Sequence, residues 1–130
     1  MNAKELHVLR QFRMSPEQYD SLYEAQDGKC YLCRVATGKT KRLSVDHDHR
    51  CCKEVPTCGK CTRGLLCGEC NQFISRRMHD DPEVALRFYQ YLLNPPAPKV
   101  LRNHDSILDD VIHPKSIVVN VEARKDWQIY

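Results

Sequence analysis

The 130-residue sequence predicts a small α+β fold stapled by zinc, on three observations. Helical punctuation and spacing fill the first 26 residues. Two short β-type runs flank a stretch dense in Asp, His and Cys. The cysteines fall largely into CxxC pairs. A chain of this length buries only a modest core, and a structural metal supplies the cross-link that such a core lacks.

The helical start rests on Ser15-Pro16-Glu17, which gives an N-cap, a proline at the first helical position and an early acid. Tyr19, Leu22, Tyr23 and Gln26 follow at helical spacing, and Asp27-Gly28 ends the run. Leu6, Val8, Leu9 and Phe12 suggest a shorter helix before it. From Cys30 to Leu66 the chain reads as loop, interrupted by candidate strands at Leu43–Val45 and Arg63–Leu66. A helix is expected over Asn71–Met78, and another from Asp81-Pro82-Glu83, where Val84, Phe88 and Leu92 form a stripe read as core, with Ala85 and Tyr89 beside it. The run Asn94-Pro95-Pro96-Ala97-Pro98 reads as a stiff linker. Farther on, Ile117–Val121 suggests a strand, with Trp127 and Tyr130 as candidate anchors. The organisation expected is a helical segment over 1–28, a zinc-stabilised core with its following helix over 29–94, and a linker and extension of unassigned role over 95–130.

The sequence opens Met-Asn-Ala-Lys-Glu without a signal-like apolar run, and no stretch reaches the roughly 20 apolar residues of a membrane span. A cytoplasmic setting is therefore expected, and there CxxC pairs serve zinc more often than disulfides. Charge is uneven. Residues 29–77 hold eleven Lys and Arg against four Asp and Glu, a surplus of 7 within a net +3, so the remainder carries −4. A basic region around the cysteines is the footprint of a polyanion-binding face, although a solvated basic surface has the same composition.

Cys30-Tyr31-Leu32-Cys33 and Cys67-Gly68-Glu69-Cys70 are two knuckles that together complete a tetrahedral four-thiolate zinc site. A redox dithiol or buried free thiols are the competing readings, and neither needs two matched pairs. The remaining cysteines are Cys51, Cys52, Cys58 and Cys61. Cys58-Gly59-Lys60-Cys61 is a third knuckle, and a second zinc would use it with Cys51, Cys52 or both. A disulfide, or a loop insertion with free thiols, stands beside that reading.

Between the knuckles lies Asp46-His47-Asp48-His49. Asp46 is a hard anionic donor suited to Mg2+ or Mn2+, and a histidine that titrates near neutrality can accept a proton from water. Phosphodiester hydrolysis needs those two parts. Asn71 follows Cys70 directly, so the knuckle would hold its amide oxygen as a further hard ligand. On an extended strand Asp46 and His47 face opposite sides, so joint action requires a bend. Histidines serving zinc or a polar loop are the bland alternative.

Taken in order, Cys30-x-x-Cys33, Val45-Asp46-His47-Asp48-His49 and Arg63-Gly64-Leu65-Leu66-Cys67-x-x-Cys70-Asn71 resemble the recombination endonuclease VII family, a branch of the HNH or ββα-metal nucleases of phages. The resemblance covers about residues 15–93. It implies a ββα-metal finger flanked by helices, Mg2+ or Mn2+ on Asp46 and Asn71, His47 as general base, and His49 supporting the phosphate or the base. Cys30, Cys33, Cys67 and Cys70 would hold structural zinc. The implied partner is DNA, duplex or branched as in a Holliday junction, with a homodimer as the candidate assembly and the bacterial host cytoplasm as the setting. Candidate phosphate contacts are Lys41, Arg42, Arg50, Lys53, Lys60, Arg63, Arg76 and Arg77. The insertion Cys51–Cys61 and the chain after Leu93 depart from the family pattern. A nonenzymatic zinc module that binds DNA or protein, and a cytosolic redox protein, are the readings from other classes.

Overall fold

The computed structural model describes residues 1–102. Residues 1–80 form one compact unit, and the segment from Asp81 belongs to a second. The strand expected at Ile117–Val121 and the anchors Trp127 and Tyr130 lie outside the described residues. Within the first unit the order is α1 (Ala3–Phe12), α2 (Pro16–Ala25), β1 (Ser44–His47), β2 (Thr62–Leu66) and α3 (Gly68–Arg76). The second contributes α4 (Pro82–Leu93) and α5 (Pro96–Leu101). The small α+β class is as expected.

Both early helices start on reciprocal caps. Asn2 accepts from the Glu5 amide while Glu5 accepts from Asn2, and Ser15 and Gln18 repeat the exchange. The turn between them passes through Arg13 at φ 55, a left-handed conformation that reverses the chain. Val8, Met14 and Tyr19 thereby reach the core, where they meet Cys30, Leu43, Val45, Leu65 and Leu66. Tyr19 donates to the Leu43 carbonyl at 2.7 Å, and Arg42 lies over its ring at 3.8 Å. Burial pushes the Tyr19 phenol above its ordinary value.

β1 and β2 pair antiparallel, Ser44 with Leu66, Val45 with Leu65 and Asp46 with Gly64, then His47 with Thr62. The register therefore slips between Asp46 and His47 and leaves Arg63 as the extra residue. Such a bulge re-aims side chains. Val45, Asp46 and His47 are all buried, without the alternation of a half-exposed strand. At the other edge of β2, Gln26 acts as a substitute strand. Its amide nitrogen donates to Leu65 O at 2.8 Å and its oxygen accepts from Leu65 N at 2.9 Å. Gly64 leaves room for this, because a β-carbon there would sit 3.2 Å from the Gln26 oxygen.

Three local expectations need correction. α3 begins at Gly68 rather than Asn71, because Cys67 is its N-cap and the knuckle forms its first turn. The α4 stripe is not buried. Phe88 and Leu92 are 43% and 51% exposed, and no residue of that helix is buried. Amphipathic spacing identified the helix but not what covers its apolar face. Pro96 to Leu101 is a short helix rather than a stiff linker. Prolines in a first turn are tolerated because those amides lack intrahelical partners.

Candidate active site and zinc centres

The first cysteine cluster joins the turn after α2 to the start of α3. The sulfurs of Cys30, Cys33, Cys67 and Cys70 all lie within 4.8 Å of one another, and Cys33 and Cys67 are 3.9 Å apart. Zinc–thiolate bonds of about 2.3 Å in a tetrahedron set the sulfur–sulfur edge at about 3.8 Å. The donors therefore fit zinc in both type and spacing. Val35 N–H points at the Cys33 sulfur at 3.5 Å, as a knuckle requires. Burial pushes the Cys30 thiol up, but amides of Cys67, Cys33 and Leu32 outweigh it and bring the pKa down to about 7. Cys70 moves the other way, raised chiefly by burial.

The second cluster is Cys51, Cys52, Cys58 and Cys61, again with all sulfurs within 4.8 Å. Cys51 and Cys58 are 3.8 Å apart, the same tetrahedral edge. Amides of Cys58 and Lys60 donate to the sulfurs of Cys52 and Cys58 at 3.3 and 3.4 Å. The Lys60 amide is the main reason Cys58 falls to about 7, while thiol hydrogen bonds from Cys58 and Cys52 push Cys51 up to about 12. Two four-cysteine sites compatible with structural zinc are thus present among the described residues, and adjacent Cys51 and Cys52 both take part.

Between the clusters, the bulge turns β1 into a polar relay. Asp46, 3% exposed, accepts from Arg63 Nε at 2.7 Å and Nη2 at 3.0 Å. Arg63 Nη2 also donates to Asp80 at 2.7 Å. The Asp46 hydrogen bond is the main reason the guanidinium sits above its ordinary pKa. His49 Nδ1 lies 2.6 Å from the second Asp80 oxygen, at ion-pair distance but off the hydrogen-bond line. The His47 ring stacks at a tilt, 4.3 Å from His49 and 5.9 Å from Phe12. Its Nε2 is 2.9 Å from the Cys52 carbonyl. A carbonyl only accepts, so Nε2 is the donor in this contact, and Nδ1 is the ring nitrogen turned away from it.

Asp46, His47 and His49 are thus brought together, with Asp80 and Arg63 between them. Asn71 lies one turn into α3, its amide donating to Cys67 O at 2.9 Å. Asp48 shapes the loop, its carboxylate accepting from Arg50 N at 2.9 Å and Arg50 Nε at 3.2 Å. The backbone amide of Arg50 is the first cause holding that carboxyl below its ordinary value. Among the candidate phosphate contacts, Lys41, Lys53, Lys60, Arg76 and Arg77 are exposed. Arg42, Arg50 and Arg63 are engaged with Tyr19, Asp48 and the Asp46–Asp80 pair respectively. Asp80 had no signal in the sequence. It reaches the site because His79 and Asp80 take φ of 52 and 55, which turns the chain back after α3.

A small α+β protein with paired cysteine centres around a buried Asp-His strand is the class these features define. The family model described as recombination endonuclease VII matches residues 5–94, and the chain belongs to that family. Gene 59 protein of Mycobacterium phage L5 is 41% identical over 97 residues, covering 75% of this chain and 54% of that protein. Gene 59 protein of Mycobacterium phage D29 matches with the same identity and coverage. The chain therefore spans about half the length of these curated relatives. No solved structure gives a significant match.

Proposed function

We propose that the chain is a metal-dependent endonuclease of the HNH type that hydrolyses DNA phosphodiesters. The observation that carries this reading is the placement of the His47 ring. Its Nε2 lies 2.9 Å from the Cys52 carbonyl, so Nδ1 is the ring nitrogen proposed to act as base, beside a buried carboxylate. Family membership supplies the reaction class.

Asp46 and Asn71 would hold Mg2+ or Mn2+. Arg63 donates one hydrogen bond to each Asp46 oxygen, and a carboxylate offers about four lone-pair sites, so room for a cation remains. Asp46, Asp80 and Arg63 together carry a formal charge of −1, which also favours a cation there. The bound ion supplies charge neutralisation at the scissile phosphate and the departing oxygen. His47 Nδ1 takes a proton from water as the water oxygen bonds to phosphorus. The bond from phosphorus to the 3′ oxygen then breaks and the departing oxygen takes a proton from solvent, leaving a 5′ phosphate and a 3′ hydroxyl. His49, at ion-pair distance from Asp80, supports the phosphate or the base. Saturated four-thiolate zinc has no position for water, so the zinc sites act in structure alone.

Duplex or branched DNA is the proposed partner, with a Holliday junction as the branched case. One such site cuts one strand at a time, so resolving a junction calls for a homodimer. The test incubates wild type and Asp46→Ala with supercoiled plasmid and a synthetic four-way junction, with Mg2+ or with EDTA. Mg2+-dependent cutting by wild type alone supports the proposal, and no cutting on either substrate overturns it. The second reading, a nonenzymatic zinc module, draws on Arg63 covering both Asp46 oxygens. It expects DNA or protein binding that survives Asp46→Ala and His47→Ala.

A further inference from the structure

The loop between β1 and β2 carries more than its length requires. Residues 48–61 contain no helix or strand, and of the residues between its ends only Thr57 is buried. Burial therefore does little to fix the loop. Yet two features of the site depend on its position. The Cys52 carbonyl holds the His47 ring at 2.9 Å. The Thr57 amide donates to Gln11 O at 2.8 Å, and Arg13 Nε donates to Thr57 O at 3.2 Å, which fastens the loop to the end of α1. Gly59, at φ 85, allows the close approach, since a β-carbon there would come within 2.9 Å of Arg13 Cβ. Phe12 from the same helix end bounds the His47 ring on one side.

We propose that Cys51, Cys52, Cys58 and Cys61 bind a second zinc ion whose task is to position His47 through the main chain of Cys52. The four sulfurs lie within 4.8 Å of one another, and the Cys51–Cys58 edge is 3.8 Å. Two amides already point at these sulfurs. Zinc at this point cross-links both ends of the loop, since Asp48 N–H donates to Cys61 O at 2.9 Å where the strands part. With Cys52 fixed by the metal, its carbonyl selects the Nε2–H tautomer of His47 and sets the direction of Nδ1. An unpinned loop would let the carbonyl move, and the ring would lose both tautomer and orientation. The second zinc is thus a positioning device for the proposed base. The catalytic consequence rests on the nuclease reading; the metal and the ring geometry do not.

The test uses the full chain as wild type, Cys51→Ser and Cys51→His. Cys51 is chosen because it leaves the Cys52 carbonyl chemically intact. Metal analysis is expected to give two, one and two zinc ions per chain. The long-range 1H–15N spectrum of His47 should show a protected Nε2–H in wild type, its loss in Cys51→Ser and its return in Cys51→His. Cleavage by Cys51→Ser should fall about 10- to 100-fold in kcat, the range for a misplaced reacting group, with KM within about twofold. A wild type with one zinc, or a one-zinc Cys51→Ser that keeps the His47 signal, overturns the proposal. If Cys51→Ser loses both metals, the zinc-free wild type is titrated with 113Cd2+. The His47 signal must then appear with filling of the second thiolate site, and its appearance with the first alone overturns the proposal. If wild type cuts no DNA, the nuclease reading fails while metal count and ring spectrum still decide this inference.

Discussion

Replacing Arg63 with Met removes a charge and its donors while keeping an aliphatic side chain of similar length. Three hydrogen bonds disappear, at 2.7 and 3.0 Å to Asp46 and 2.7 Å to Asp80. The Asp46 and Asp80 side chains are 4% and 7% exposed, so two carboxylates are left nearly without solvent. Breaking a buried pair by removing one partner costs about 3–5 kcal/mol. Arg63 itself is 32% exposed, which lets water screen part of the loss and favours the lower figure, about 3 kcal/mol. In urea that corresponds to a midpoint shift of about 1–3 M at unchanged slope. The assay is urea denaturation of the zinc-loaded protein. Asp46→Asn in the same background should recover about 1–3 kcal/mol through coupling, because one stranded charge is removed. Under the nuclease reading Mg2+ also recovers stability in Arg63→Met and does not in Asp46→Asn. A cost below about 1 kcal/mol with additive effects would refute the electrostatic reasoning, and a silent Mg2+ arm would refute the cation site.

Other outcomes follow from the same geometry. Tyr19→Phe removes the buried hydrogen bond to Leu43 O and should lower stability by about 1–3 kcal/mol, read as a lower urea midpoint. In the second cluster Cys58 sits at about 7 and Cys51 at about 12, so near pH 8 zinc binding must displace at least the Cys51 proton. Zinc affinity, followed by competition with a chelating dye, should fall about tenfold or more from pH 8 to 7, and more steeply below. The sign for the zinc-free fold is separate. Cys58 is depressed, so its contribution is complete above the ordinary thiol value near 9 and is lost as pH falls through about 7. DNA binding should weaken steeply with salt, and Lys60→Ala with Arg76→Ala should flatten that dependence in a filter-binding assay.

Much of this was written locally. Ser15-Pro16 placed α2, because caps and first-turn prolines act within a few residues. The CxxC spacing found both knuckles of the first cluster for the same reason. Leu43–Val45 read as a strand leading into Asp46 and His47, yet it is the register slip opposite Arg63 that accounts for both of those residues being buried. That slip depends on residues 17 positions away and leaves no periodic trace. Asp80 and Thr57 were illegible for a similar reason, since each acts through a reversal or a loop docking set by tertiary contacts. The four adjacent-and-distant cysteines of the insertion left several pairings open in sequence, and their convergence is a fact of loop geometry. The α4 stripe shows the converse limit, because spacing reveals an apolar face without saying what meets it.

The most direct measurement is single-turnover cleavage of a four-way junction in Mg2+ by wild type and His47→Ala, at matched zinc content. The structure-based account expects wild type to cut and His47→Ala, still folded and carrying the same zinc, to lose activity by about 100-fold or more. Equal rates from the two proteins, or no cleavage by wild type with its zinc in place, would contradict it.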